Sequence, residues 1–209
     1  MKNSTLIEIL KNFTGEEFKK FEDFSQSSYF NKNTNIIKLV QYLKILSPRF
    51  EDEAIRKENI WKALFGEKKF NYGVLKNIIY ETGKIVNMFM SVEIFMKKDL
   101  KIKLNNLEFL SMKGLSVQME KGIRSLKSEL AEMNVSNEYF YISSKLEMME
   151  KGNLEVYLKT KKKDFGDYSS FNKYFISYFF SNFFLANNKG LLVSAVYDKD
   201  NQNEDLRKY

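Results

Sequence analysis

Between Leu75 and Met96 the positions Leu75, Ile78, Thr82, Ile85, Phe89, Val92 and Met96 recur every three or four residues over three heptads. That period belongs to one face of an α-helix; a half-buried strand would need apolar residues at every second position. The same spacing marks most of the chain and alternating runs are scarce, so the sequence reads as all-α. A seam of only three heptads suits packing inside a bundle better than an intermolecular coiled coil.

Local signals divide the chain into helices. Thr14 and Glu17 have the spacing of a capping box, and Phe13 and Phe18 that of a hydrophobic staple. Phe18, Phe21 and Phe24 then run down one face, and Thr5 with Glu8 forms a weaker box that opens the preceding helix. A third helix starts near Asn33-Thr34, keeps Ile36, Val40, Leu43 and Leu46 in phase, and stops at Ser47-Pro48. A fourth runs from about Arg56 to Phe65, closed by Gly66, with Glu51-Asp52-Glu53 leading towards its positive N-terminus. The fifth follows Asn71 and carries the long seam. The charged stretch 97–103 reads as a junction between an N-terminal helical bundle (1–98) and a helical-hairpin domain (99–209). Further helices are expected at about 104–113, 116–133, 137–151 and 168–187, with Gly114, Gly152 and Gly190 at their ends. Antiparallel hairpins of this length resemble those of tetratricopeptide-like solenoids. No repeat consensus is evident, so that resemblance extends to architecture alone.

Chemistry is bounded by two absences: the chain has no histidine and no cysteine. Histidine is the usual general base and metal ligand near neutral pH, and cysteine the strongest nucleophile and the usual zinc or iron–sulfur ligand. Abundant Lys, Asn, Ile, Phe and Tyr point to AT-rich coding, which explains part of the gap, but the chemical consequence is the same. No disulfide framework or zinc finger is available, and no cofactor is implied. Asp198-Lys199-Asp200-Asn201-Gln202-Asn203 begins like a calcium loop, yet Asn203 stands where such a loop needs glycine and Tyr209 where it needs glutamate. It reads as a solvated tail. The nine glycines are isolated, so no phosphate-cradling loop exists. Glu147 and Glu150 are the kind of carboxylate pair that exposed helices routinely carry. A non-enzymatic protein is the expectation.

The net charge of +7 is spread evenly, with 17 basic and 13 acidic residues in 1–100 against 17 and 14 in 101–209. Such a balance permits an anionic partner without demanding one. Two short lysine runs, 97–103 and 159–163, read first as solvated faces. Glu8 interrupts the apolar stretch at the N-terminus, and no window reaches the about 18 apolar residues of a membrane span. A cytoplasmic protein without membrane contact is therefore expected.

The densest signal lies near the C-terminus. Eight aromatics fall between Phe171 and Phe184: Phe171, Tyr174, Phe175, Tyr178, Phe179, Phe180, Phe183 and Phe184. A helix apolar on more than one face is either a central core helix or a docking surface for a partner. In the second reading Phe175, Phe179 and Phe183 meet another protein or a missing C-terminal part of the same chain.

Two resemblances add to this reading. The stretch from Leu10 to Phe21, with Ser28–Asn33, Ile60–Gly66 and Tyr72–Asn77, resembles an uncharacterised family of bacterial all-helical proteins, over residues 8–96. That resemblance implies a helical fold and supplies no activity. Residues 58–88 are similar to the helix-turn-helix of winged-helix regulators. This implies a second helix in the major groove, with Lys76 and Lys84 on phosphates, Asn77 on a base edge, and Tyr80 on the same face. The expected function is thus a helical interaction or scaffold module, with a DNA-binding transcriptional regulator as the alternative.

Overall fold

The computed structural model describes residues 4–157 and 169–205. Among them are nine helices and no strand, so the protein is all-α. They are α1 (Thr5–Lys11), α2 (Gly15–Gln26), α3 (Thr34–Leu46), α4 (Lys57–Phe65), α5 (Tyr72–Met96), α6 (Asp99–Met112), α7 (Ser116–Ala131), α8 (Asn137–Tyr157) and α9 (Ser169–Asp205). The chain forms two compact units, Met1–Lys97 and Lys98–Tyr209.

In the first unit α5 is the spine, packed against α1, α2, α3 and α4. The capping box forms as its residues dictate. The Thr14 N–H donates to Glu17 Oε2 at 2.8 Å and the Glu17 N–H to Thr14 Oγ1 at 3.2 Å. These bonds hold the Glu17 carboxyl below its ordinary pKa. The staple closes with the Phe13 and Phe18 rings edge-on at 6.1 Å. Phe18 and Phe21 are fully buried and Phe24 half-buried, against Phe89 of α5. The first five seam positions, Leu75 to Phe89, are buried, and buried Thr82 satisfies its hydroxyl by donating to Ile78 O at 2.7 Å. The seam then fades, Met96 being 63% exposed. The first helix differs from expectation by one residue. Ser4, not Thr5, is its cap, accepting from the Ile7 N–H, which puts Thr5 in the first turn.

The second unit is built of consecutive hairpins, α6 with α7, α7 with α8 and α8 with α9. Its core is Leu100, Leu104 and Leu107 of α6, Met119, Ile123, Leu126 and Leu130 of α7, and Ile142 and Leu146 of α8. The charged junction is shorter than the sequence suggests, because α6 starts at Asp99 rather than near Leu104. Asp99 sits in the first turn, where its charge suits the helix dipole, and bonds Lys103 one turn on at 2.6 Å. Lys103 also reaches Glu129 of α7 at 2.8 Å. Part of what reads as a charge run is thus the first turn of a helix, where Asp99 and Lys103 are ion-paired.

Glycine is a helix stop only where the backbone takes the left-handed turn. Gly66 (φ 66°) and Gly114 (φ 68°) do so and end α4 and α6. Gly152 and Gly190 instead lie within α8 and α9, which run on to Tyr157 and Asp205. A helical glycine costs only about 1 kcal/mol, which packing readily outweighs. The segment 198–203 is accordingly helical in its backbone rather than a loose tail. The lysine run at 159–163 lies outside the described residues.

Candidate functional site

α9 carries the strongest candidate. It rests on α8, and two pairs of contacts fix the direction. Asn137 and Asn182 exchange side-chain amide bonds at 2.7 and 3.2 Å, while the Tyr141 and Tyr178 rings meet at 5.5 Å. The sequence number falls along one helix as it rises along the other, so the two run antiparallel. Phe171, Tyr174, Ser177, Tyr178, Ser181 and Asn182 fall on the partly buried side.

Among the described residues nothing covers the opposite side in this way. Phe175, Ile176, Phe179, Phe180, Phe183 and Phe184 are each between 49% and 60% exposed. The core-helix expectation fails for this face. Hydropathy identifies residues that favour burial but not whether a neighbour is there to bury them. The rings stack along the helix instead. Phe171 and Phe175 lie nearly parallel at 5.7 Å, Phe179 and Phe183 at 6.3 Å, and Phe180 and Phe184 at 6.3 Å. No charged residue occurs from Tyr174 to Asn188, with Lys173 and Lys189 flanking the strip. An aromatic side chain carries about 150–250 Å² of surface, so six half-exposed residues leave roughly 600 Å² of apolar surface. That is at the upper end of the largest patch on an ordinary monomer.

A polar cluster lies beside the strip's platform. A cavity of about 190 Å³ is lined by Lys127, Leu130 and Ala131 of α7, Tyr139, Ser143, Leu146 and Glu147 of α8, and Tyr174 of α9. The Lys127 ammonium donates to Glu147 at 2.8 Å and to Glu150 at 2.6 Å. Partial burial works against its charge, yet these two carboxylates hold its pKa above the usual lysine value. A hydrogen bond with Tyr139, then burial, push the Tyr174 phenol up as well. Both groups move away from neutrality, the reverse of what a general acid or base needs. The cluster fits a structural clamp among α7, α8 and α9. Among the described residues no group of three or more acidic side chains converges as a metal site would require.

The second candidate face is on α5. Lys76, Asn77, Tyr80 and Lys84 are all exposed, Tyr80 at 62%. They lie on one open side, opposite the buried seam. Lys84 is not idle there. Its ammonium bonds Glu81 at 2.9 Å, which raises its pKa, and lies 4.6 Å from the Tyr80 ring centre. Only Lys97 and Lys98 separate α5 from α6, which leaves no room for the strand pair of a winged helix. An open hollow of about 520 Å³ near Glu81 is lined also by Asn31, Lys32, Asn33 and Thr34. The Asn31 amide is already spent on Ser25 O and the Asn33 N–H.

No family model, no curated protein and no solved structure matches this chain.

Proposed function

We propose that this protein is a non-enzymatic, cytoplasmic helical interaction module that docks a protein partner through the aromatic strip of α9. One observation carries the reading: roughly 600 Å² of contiguous, uncharged apolar surface, most of it aromatic, faces solvent on a helix whose other side is held by α8. Core-forming side chains left exposed cost solubility, and a partner removes that cost. No helix among the described residues is long and apolar enough to cross a membrane, so the strip is not a span. The absence of histidine and cysteine, and the shifts of Lys127 and Tyr174 away from neutrality, support binding rather than chemistry.

The test is a photo-crosslinking amino acid placed at Phe179 in living cells, with Tyr29, an exposed ring in the other unit, as control. A discrete polypeptide adduct from position 179 and none from position 29 is the expected result. Crosslinking to lipid or nucleic acid alone at position 179 would sink the reading.

The open α5 face favours a second reading, a DNA-binding regulator using Lys76, Asn77, Tyr80 and Lys84. The Glu81 pairing does not forbid it, since an exposed ion pair is screened by solvent and contributes little, so phosphate can replace it. This reading predicts duplex binding that weakens steeply with salt, with Lys76→Glu and Lys84→Glu together lowering affinity at least about tenfold. A gel shift showing no duplex binding at low salt ends it.

A further inference from the structure

We propose that the partner of the α9 strip is a second copy of this chain, packed antiparallel against the same strip. The inference deepens the docking reading and rests on it. It is carried by the order of residues along the strip. Six of the exposed apolar residues form three adjacent pairs four residues apart, Phe175-Ile176, Phe179-Phe180 and Phe183-Phe184, and Leu185, also half-exposed, follows the last of them. The three pairs read the same in both directions about a point between Phe179 and Phe180, while Leu185 falls opposite Tyr174, outside the repeat. A two-fold axis there sets Phe175 of one copy against Phe184 of the other, Ile176 against Phe183, and Phe179 against Phe180. An isologous dimer requires this kind of self-complementary patch.

The flanks agree with the antiparallel sense. The same axis places Lys173 opposite Ala186, Lys189 opposite Ser170, and Asn172 opposite Asn187, an amide facing an amide. A parallel pairing in register would instead bring Lys173 against Lys173 and Lys189 against Lys189. Rows four residues apart are also the ridges that interdigitate when two helices cross at about 50°. Such a crossing limits contact to a few turns, and the strip is three pairs long.

Area is sufficient. About 600 Å² from each copy gives roughly 1,200 Å² in the pair, the lower end of stable protein interfaces. The surface is uncharged, so pairing leaves no buried ion without a partner.

The experiment uses the full chain and its lack of cysteine. Sedimentation from about 1 µM to about 100 µM should show a monomer–dimer equilibrium, the range expected of an interface this size. Phe179→Asp with Phe183→Asp should raise the dissociation constant at least about 100-fold, as loss of central aromatic anchors does. Under mild oxidation, Phe175→Cys mixed with Phe184→Cys should form a disulfide-linked dimer faster than either alone, and Val135→Cys, exposed outside the strip, should form none. A monomer at every concentration overturns the inference, as does a dimer indifferent to the Asp variants. Crosslinking of Phe175→Cys to itself at the faster rate overturns the antiparallel arrangement. Vesicles of phosphatidylcholine and phosphatidylglycerol that bind the monomer through Phe179 would replace the second copy with a lipid surface. The broader docking reading fails separately: if the Asp variants lose helix content and the Cys variants unfold, the strip is core. A folded monomer that still yields a polypeptide adduct at position 179 leaves that reading standing with a different partner.

Discussion

Phe21→Ala is expected to destabilise the first unit by about 3–5 kcal/mol, the usual cost of deleting a fully buried aromatic. Phe21 has no exposed surface and stands where α2, α5 and the turn before α2 meet. Its ring lies 6.0 Å from Phe13, 6.1 Å from Phe18 and 5.4 Å from Phe89. Three of its neighbours are themselves rings, which cannot bend to fill the space. Domains are stable by only about 5–15 kcal/mol, so the variant approaches the limit of folding. The single tryptophan supplies the readout. Trp61 is buried in the same core and donates from Nε1 to Lys68 O at 2.7 Å. Its fluorescence in a urea titration should report the loss directly. A change under about 1 kcal/mol would mean that α2 does not pack on α5 as described.

How much of this was legible in the sequence differs between the units. The capping box at Thr14, the seam of α5 and the stop after Leu46 follow from short-range chemistry, and the structure contains them. A cap bonds residues three apart, and a seam repeats within a turn, so neighbours in sequence suffice. The errors lie where a choice depends on distant parts of the chain. The stretch 97–103 reads as a junction because charge reads as solvation, whereas Glu129, 26 residues beyond Lys103, is what completes the ion pairs of that lysine. Gly152 and Gly190 looked like stops because a glycine allows a left-handed turn, but nothing in the residue requires one. The exposed α5 quartet was legible, since a buried seam fixes the opposite side of the same helix. The exposed half of α9 was not, since a helix with aromatics on more than one side carries no mark of which side α8 takes.

That last point makes Ile142 the most informative residue of the second unit. Ile142 and Leu146 are fully buried on α8, joining the core made by α6 and α7. Tyr139 and Tyr141 of the same helix meet Tyr174 and Tyr178 of α9. α8 therefore stands between the core and the strip, and α9 depends on it for position. Ile142→Ala should cost about 2–5 kcal/mol, the span measured for buried aliphatic truncations. Phe179→Ala, by contrast, removes a ring already half in solvent and should cost about 1 kcal/mol or less in the monomer. Hydrogen exchange followed by mass spectrometry on residues 137–151 should show lost protection for the first variant and little change for the second. The reverse ranking would make α9 the core helix and α8 its cover, and would remove the exposed strip on which both docking and self-pairing depend.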